Sequence, residues 1–296
     1  MLLEKIKKVI KNPKFARSLL LAKVKKPFVK KRFSGSVKNR SQSDDGLYLG
    51  SIQKFLSSQN SFDNFKQDPF YQMILEHTSR DLGQEYLNII KQQTPEFLDE
   101  SIELYKQNDE LGNADVYDYD DIGLVSPSTL YYLKIASDLK VLFQNNIGGK
   151  IAEIGCGYGG QALILDRVFE LNKNILFDID IVGELTSRYL EHFTLHGSYV
   201  TTTLNKVTSQ NYDLVISNYA FSELPASLQK KYIEKVLANS SRGYLIMNSG
   251  RDGGIKEDRL TLAELKNLLP EFEIFDEKPL TAPQNYVIVW GHTGSI

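Results

Sequence analysis

The sequence predicts an α/β protein: a doubly wound sheet with a reversed final strand, preceded by a helical extension. From Lys150 onward, short β-branched runs alternate with helical stretches, which is typical of a parallel sheet with helices on both faces. Only the short loop 277–285 separates the last two strand candidates, so they should pair antiparallel. The seven strand candidates are 150–154, 174–178, 197–201, 212–217, 243–247, 272–276 and 286–290.

The length of 296 residues leaves room for one large domain or for a domain with a substantial extension. We divide the chain into a basic arm and polar linker (1–64), a helical segment (65–147) and the sheet domain (148–296). The Ser-, Gly-, Asn- and Gln-rich stretch 33–62 is interpreted as a linker with local turns. Apolar faces at helical spacing predict the helical segment, which we expect to cover the site and contact the acceptor.

The N-terminal arm carries most of the charge asymmetry of the chain. Residues 1–40 contain fourteen lysines and arginines and one acid, Glu4, whereas the whole chain has a net charge of -2. Apolar and lysine residues alternate at helical spacing over residues 1–12, which predicts a basic amphipathic helix able to lie on an anionic membrane surface. The alternative is a solvated terminus or a helix docked on the acidic body. We expect no nucleic-acid partner.

The composition favours a cytoplasmic protein, with peripheral contact at the inner membrane face through the arm. The apolar runs are much shorter than the roughly 18 residues needed to span a bilayer. The single cysteine, Cys156, forms no disulfide within the chain, which fits a reducing compartment.

A glycine-rich turn follows the first strand of the sheet domain and opens the next helix. Such a turn lets the backbone approach a bound nucleoside and leaves the helix amides facing it. The spacing alone is ambiguous. Gly155, Gly157 and Gly160 fit the dinucleotide pattern, whereas Gly155, Gly157 and Gly159 fit the pattern G-x-G-x-G.

Two features favour S-adenosylmethionine over a dinucleotide, and a third indicates a nucleoside. Glu153, two residues before the first glycine, would repel a pyrophosphate but suits a cationic amino-acid moiety. Asp178 ends the next strand and can accept hydrogen bonds from both hydroxyls of a ribose, which indicates a nucleoside without separating the two cofactors. The reversed final strand is generally absent from dinucleotide dehydrogenases.

The strings EIGCGYG (153–159) and YDLVISN (212–218), together with Asp178, resemble the motifs of class I S-adenosylmethionine-dependent methyltransferases. More narrowly, SPSTLYY (126–132), SNYAFSEL (217–224) and TAPQNYVIVWG (281–291) resemble the sugar O-methyltransferase family of bacterial surface-polysaccharide clusters, over about residues 65–293. The resemblance implies the Rossmann-like class I fold. It also implies that Glu153 and the glycines contact the cofactor, Asp178 the ribose, and Asn218 the region near the sulfonium. The stretch 201–205 lacks the acid that binds adenine in many class I enzymes.

Ligands of such sheets gather outside the carboxyl ends of the parallel strands, and this rule selects catalytic candidates. An alcohol acceptor needs a base to take its proton. Glu223 follows the fourth parallel strand and Asp252 follows the fifth, so we predict one of them to be this base. Residues 218–221 lack the prolines of the Asn-Pro-Pro-aromatic signature of many amine methyltransferases, which favours O-methylation.

The predicted acceptor site combines aromatic and polar side chains. Tyr117 belongs to an acidic, tyrosine-bearing loop, Tyr131 to the following helix, and Asn285 to the start of the reversed strand. Flat rings cover the C–H faces of a sugar, whereas carboxylates bind pairs of hydroxyls. The alternative is a solvated acidic loop before a core helix. We predict no metal site, although use of a divalent metal stays open.

The sequence hypothesis is S-adenosylmethionine-dependent methylation of a hydroxyl on a sugar or glycan precursor. Transfer to another small molecule or to a protein amine is the first alternative. An NAD-dependent oxidoreductase and a non-catalytic cofactor-binding module are the others.

Overall fold

The structure is a computed structural model that describes residues 46–72, 74–99, 101–144, 146–251 and 258–296. The basic arm lies outside the described residues, and so do the helix and the membrane contact predicted for it and the candidate base Asp252. No helix in these ranges is both long enough and apolar enough to cross a membrane.

One seven-stranded sheet organises the second half of the chain. Five of its strands run parallel, and the last strand is antiparallel to both of its neighbours. A separate two-stranded hairpin comprises β1 (Tyr117–Tyr119) and β2 (Gly123–Val125). The sheet strands are β3 (Lys150–Ile154), β4 (Lys173–Phe177), β5 (Ser198–Thr202), β6 (Tyr212–Asn218), β7 (Ser240–Met247), β8 (Glu273–Asp276) and β9 (Tyr286–Trp290).

The order across the sheet is β5-β4-β3-β6-β7-β9-β8. The predicted α/β fold, a doubly wound sheet with a reversed final strand, is therefore confirmed. The central strand β3 lies between β4 and β6, where the winding of the sheet changes direction. Such a switch point opens a crevice at the carboxyl ends of the strands.

The helices cover both faces of the sheet. Those before β3 are α1 (Gly46–Ser57), α2 (Gln59–Phe62), α3 (Pro69–Gln72), α4 (Arg80–Gln93), α5 (Ile102–Lys106) and α6 (Pro127–Phe143). Those that follow are α7 (Gly160–Val168), α8 (Asp180–Leu190), α9 (Ala220–Glu223), α10 (Ala226–Lys235) and α11 (Leu262–Leu268). Short 3-10 helices cover Phe65–Gln67, Pro95–Leu98, Gln107–Asp109, Leu204–Lys206 and Leu237–Asn239.

Successive strand residues point to two separate cores. Ile151 and Leu214 belong to the core that also contains α6, α7 and the N-terminal helices, whereas Ala152 and Val215 face α10 and α11. This alternation is the two-residue period of a strand, and both faces are covered because a parallel sheet needs helices on each side. The helical segment and one face of the sheet thus share one core.

The predicted polar linker is wrong for the part of it that the structure describes. Residues 46–57 form helix α1, in which Tyr48, Ile52 and Phe55 are buried. Their spacing of four and three residues places them on one helical face, a signal that the polar composition of the stretch concealed. Arg188 of α8 donates hydrogen bonds to the carbonyl oxygens of Phe55 and Leu56 at 3.0 and 3.2 Å, which ties the end of α1 to the sheet domain.

Replacement of Phe55 tests whether α1 belongs to the core. Its ring is 1% exposed and contacts the rings of Phe65 and Tyr71, so Phe55→Ala should lower the free energy of unfolding by roughly 3–5 kcal/mol. The exposed neighbour Gln53 is the matched control, and Gln53→Ala should change this energy by less than about 0.5 kcal/mol. Urea unfolding measures both values. Equal, small effects of the two substitutions would show that α1 does not pack as described.

Candidate functional site

The glycine loop links β3 to α7 and has a backbone that requires glycine. Gly155, Gly157 and Gly159 have φ angles of 79°, 55° and 96°, in the region that residues with side chains rarely adopt. A Cβ atom on Gly155 would also lie 2.1 Å from that of Ala220. The loop therefore passes close to its surroundings at the start of α7, where the sequence predicts a nucleoside site.

Asp178 is held against this loop. It directly follows β4, and its Oδ2 accepts a hydrogen bond of 3.1 Å from the backbone N–H of Gly157. Its Oδ1 accepts a bond of 2.8 Å from the N–H of Ile179. Two backbone donors thus orient the carboxylate beside the loop, where a ribose diol would need a bidentate acceptor.

Glu153 is the least compensated carboxyl group of the site. The residue is only 2% exposed, and its Oε2 is shielded from solvent without any hydrogen-bond partner among the described residues. Burial, and secondarily the negative charge of Asp178, raise the pKa of Glu153 well above its usual range. No described residue supplies a positive charge to this group. A cationic ligand would therefore stabilise the ionised form of Glu153.

Asn218 lies on the same face of the sheet as Glu153. β3 and β6 pair in parallel with Glu153 opposite Ile216, so the residue two positions further on points to the same side. Its Nδ2 donates to Gln161 Oε1 at 3.3 Å, while its Oδ1 is buried without a partner. A second unsatisfied polar atom therefore faces the crevice beside the glycine loop.

A buried carboxylate that the sequence did not reveal organises the other side of the crevice. Glu277, the first residue after β8, is 4% exposed and accepts a short hydrogen bond from the hydroxyl of Tyr219. Its Oε2 accepts from the N–H and the hydroxyl of Thr281 at 2.8 and 2.7 Å and from Asn285 Nδ2 at 3.0 Å. In the sequence Glu277 is merely a charged residue in a loop, because only the pairing of β8, β9 and β7 brings it beside Tyr219.

Tyr219 adopts a conformation that is uncommon for a bulky side chain. Its φ angle is 67°, and such a backbone costs on the order of 1–3 kcal/mol unless the surroundings impose it. The hydrogen bond to Glu277 and a backbone bond of 2.9 Å to the carbonyl of Ile246 hold it there. Burial and the charge of Glu277 raise the pKa of Tyr219 well above its usual range, so the phenol keeps its proton.

The predicted acceptor residues divide between two places. Burial, and then the nearby Tyr219 and Glu277, raise the pKa of Tyr131, whose hydroxyl is buried without a hydrogen-bond partner among the described residues. Asn285 contacts Glu277, and its Oδ1 is likewise unpartnered. Tyr117 lies instead in the hairpin β1–β2, beside Tyr119, whose hydroxyl donates to the carbonyl of Arg80 on α4.

Glu223, the first predicted base, ends α9 at the carboxyl edge of the sheet. Its Oε1 accepts a hydrogen bond of 2.9 Å from Asn248 Nδ2, just beyond β7. The reversed strand begins at this same edge, because Met247 at the end of β7 pairs with Tyr286 at the start of β9. Within the described residues, no group of three or more His, Cys, Asp and Glu side chains is arranged to hold a metal ion.

These features together define a class of fold. A doubly wound sheet with β9 inserted antiparallel between β7 and β8, and with a glycine loop after its central strand, is the class I methyltransferase fold, a Rossmann-like architecture. The chain has this fold, as its motifs predicted.

Comparison with known proteins gives similarities at the level of structure alone. No protein-family model and no curated protein sequence matches the chain. Mitomycin 7-O-methyltransferase is 12% identical, with 83% of this chain and 68% of that chain covered, at a TM-score of 0.42. Magnesium protoporphyrin IX methyltransferase from Synechocystis PCC 6803 is 12% identical, covering 69% of this chain and 95% of that chain, at 0.41.

A third solved structure is an S-adenosylmethionine-dependent methyltransferase from Clostridium acetobutylicum ATCC 824. It is 11% identical, with 52% of this chain and 87% of that chain covered, at a TM-score of 0.40. Identities and scores this low do not indicate which acceptor this chain would use.

The unpaired state of Glu153 predicts a stability effect with a defined sign. Its folded-state pKa is raised, so the unfolded chain loses this proton first, and stability falls as the pH rises above the unfolded value of about 4.3. Glu153→Gln removes this penalty. The free energy of unfolding of this variant should therefore exceed that of the unchanged chain by a small amount near pH 4. The difference should grow toward neutral pH, with a slope of at most about 1.4 kcal/mol per pH unit.

Urea unfolding at a series of pH values measures this difference, because all other titrating groups are common to both proteins. Glu234→Gln on the exposed side of α10 is the control and should show no pH-dependent difference. A Glu153→Gln variant that is less stable than the unchanged chain at pH 8 would mean that the carboxylate has a stabilising partner.

Proposed function

We propose that the chain transfers a methyl group from S-adenosylmethionine to a hydroxyl group of a sugar or glycan precursor. The proposal rests on Oε2 of Glu153, a carboxyl oxygen beside the glycine loop. This atom is shielded from solvent and has no hydrogen-bond partner among the described residues. The class I methyltransferase fold supports the reaction type. The sugar acceptor rests on the resemblance of the motifs and on the composition of the acceptor side.

The residues of the crevice fit this cofactor. Its ammonium group would satisfy Glu153, its ribose hydroxyls would bind Asp178, and the amides of the glycine loop would face its amino-acid carboxylate. NAD fits less well, since its pyrophosphate would lie beside a buried carboxyl group. When bound, S-adenosylmethionine supplies a methyl group on a positively charged sulfur that is open to in-line displacement.

The acceptor side offers polar atoms that lack hydrogen-bond partners among the described residues. The Tyr131 hydroxyl can donate or accept a hydrogen bond, and Asn285 Oδ1 can accept one. The rings of Tyr131 and Tyr86 lie 5.3 Å apart at an interplanar angle of 46°, so aromatic carbon lies beside these groups. Ring faces and hydroxyl-binding atoms together suit a sugar, and Tyr117 would contribute from the hairpin.

An acceptor hydroxyl must lose its proton as the new C–O bond forms. Glu223 and Asp252 remain candidates from their positions at the sheet edge. The hydrogen bonds favour Tyr219 and Glu277 over Glu223, whose Oε1 is bound by Asn248. Tyr219 would accept the proton of the acceptor hydroxyl on its Oη while its own proton moves to Glu277 Oε1, and the C–S bond of the sulfonium breaks.

Methyl transfer can be tested with deuterated donor. The full chain is incubated with S-adenosylmethionine labelled as CD₃ and with surface-glycan precursors extracted from cells that lack the chain. Mass spectrometry should detect one CD₃ group in place of one hydroxyl proton of a sugar. Label in a protein amine or a non-sugar molecule would contradict the sugar assignment, and sugar oxidation coupled to NAD reduction would contradict the class of reaction.

The proton route can be tested with three variants in that assay. Tyr219→Phe and Glu277→Gln should each lower kcat by roughly 10²- to 10⁴-fold, the usual contribution of proton transfer, while cofactor affinity stays within about twofold. Glu223→Gln should lower kcat by less than about tenfold. A loss of turnover in Glu223→Gln combined with near-normal turnover in Tyr219→Phe would instead identify Glu223 as the base.

A further inference from the structure

The glycine loop carries one large side chain, that of Tyr158, and this side chain packs into the helical segment. It is fully buried, and its ring lies 5.3 Å from the ring of Phe65 and 6.1 Å from that of Tyr132 on α6. Nζ of Lys66 lies 4.7 Å from the centre of the same ring, within the range of a cation–π contact. Residues of the helical segment therefore enclose a side chain of the loop that we assign to the cofactor.

Asn108 is the hydrogen-bond partner of this tyrosine. It belongs to the 3-10 helix Gln107–Asp109 and is fully buried. Its Nδ2 donates to the hydroxyl of Tyr158 at 3.2 Å, and that hydroxyl can donate to Asn108 Oδ1 at 3.3 Å. The contact needs glycine at position 160, because a Cβ atom on Gly160 would lie 2.6 Å from the Tyr158 hydroxyl and 2.7 Å from Asn108 Oδ1.

Asn108 is held in place by groups outside the glycine loop. Its Nδ2 donates to Thr129 Oγ1 at 2.8 Å, and its Oδ1 accepts from the hydroxyl of Tyr189 on α8 at 2.9 Å. Its carbonyl oxygen accepts a short hydrogen bond from Lys66 Nζ. Both atoms of the Asn108 amide thus keep a partner when the Tyr158 hydroxyl is removed, and the loss falls on the loop.

The loop depends on such a contact because its backbone is intrinsically free. Glycine loses more conformational freedom on folding than any other residue, and Tyr158 lies between Gly157 and Gly159. A shift of the loop would also move the Gly157 N–H that donates to Asp178. The position of Tyr158 is therefore coupled to the carboxylate that we assign to the ribose.

We propose that Tyr158 is a positioning residue for the cofactor, and that its bond to Asn108 fixes the glycine loop from the helical segment. The helical segment thereby sets the affinity for S-adenosylmethionine. This inference rests on the proposed function. It also accounts for Gly160 without a dinucleotide, since this glycine makes room for the Tyr158–Asn108 contact.

Two variants of the full chain separate a positioning role from a general effect on stability. Tyr158→Phe keeps the ring and loses the hydroxyl in the loop. Tyr189→Phe loses another buried hydroxyl that bonds to Asn108, but from α8, so it is the matched control. In calorimetric titrations with S-adenosylhomocysteine, Tyr158→Phe should weaken binding by roughly 3- to 10-fold, as expected for one hydrogen bond, and Tyr189→Phe by less than about twofold. The two variants should unfold at similar urea concentrations.

Hydrogen–deuterium exchange of the free chain reports on the loop without a ligand. Backbone bonds such as that from the Gly159 N–H to the Cys156 carbonyl at 3.0 Å protect the loop amides while the loop keeps its conformation. A peptide that covers residues 155–160 should exchange roughly 3- to 10-fold faster in Tyr158→Phe than in the unchanged chain. Its exchange rate in Tyr189→Phe should equal that of the unchanged chain.

The outcomes separate this proposal from the proposed function. If the unchanged chain binds S-adenosylhomocysteine but Tyr158→Phe alters only affinity, only loop exchange or neither, the role of Tyr158 is overturned and the function stands. If Tyr189→Phe weakens binding as much as Tyr158→Phe, the hydrogen bonds act on the whole fold and the role of Tyr158 also fails. If the unchanged chain binds NAD but not S-adenosylhomocysteine, the proposed function falls and the role of Tyr158 falls with it.

Discussion

The site depends on one buried carboxyl group, that of Glu153 near the carboxyl end of β3. No described residue donates a hydrogen bond to its Oε2. Glu153 ends up there because β3 lies where the winding of the sheet changes direction, with β4 on one side and β6 on the other. The loops after these strands diverge at the carboxyl edge of the sheet. The protein thus keeps at this edge a buried carboxyl oxygen without a partner among the described residues, and under the proposed function the cationic cofactor would offset this penalty on binding.

The same edge of the sheet holds a second buried carboxylate with the opposite environment. Glu277 accepts four hydrogen bonds from Tyr219, Thr281 and Asn285, whereas Oε2 of Glu153 accepts none. A satisfied carboxylate rigidifies its neighbours, so Glu277 fixes the strained Tyr219 and orients Asn285. An unsatisfied one attracts a ligand. Under the proposed function, Glu277 would belong to a preorganised acceptor side and Glu153 to a cofactor side that binding completes.

Local sequence signals predicted the sheet well and the helical segment only in part. β-Branched runs between helical stretches located β3 and β9 at their observed bounds, because strands buried on both faces are continuous and apolar. Helix α1 was missed because its apolar residues lie within a longer stretch, 33–62, that is rich in serine, glycine, asparagine and glutamine. Glu153 and Asp178 could be selected since each adjoins a strand end near the glycines. Glu277 could not, because only the tertiary packing of distant segments brings it beside Tyr219.

The central claim is that Glu153 is neutral in the free chain and ionises when the cationic end of S-adenosylmethionine binds. The most direct measurement is infrared difference spectroscopy of the full chain upon addition of S-adenosylhomocysteine, with Glu153→Gln to assign the bands. The account predicts that a protonated-carboxyl band of the free chain converts to a carboxylate band on binding and that the conversion is absent from the variant. A Glu153 that is already ionised in the free chain, or that stays protonated with the ligand bound, would contradict it.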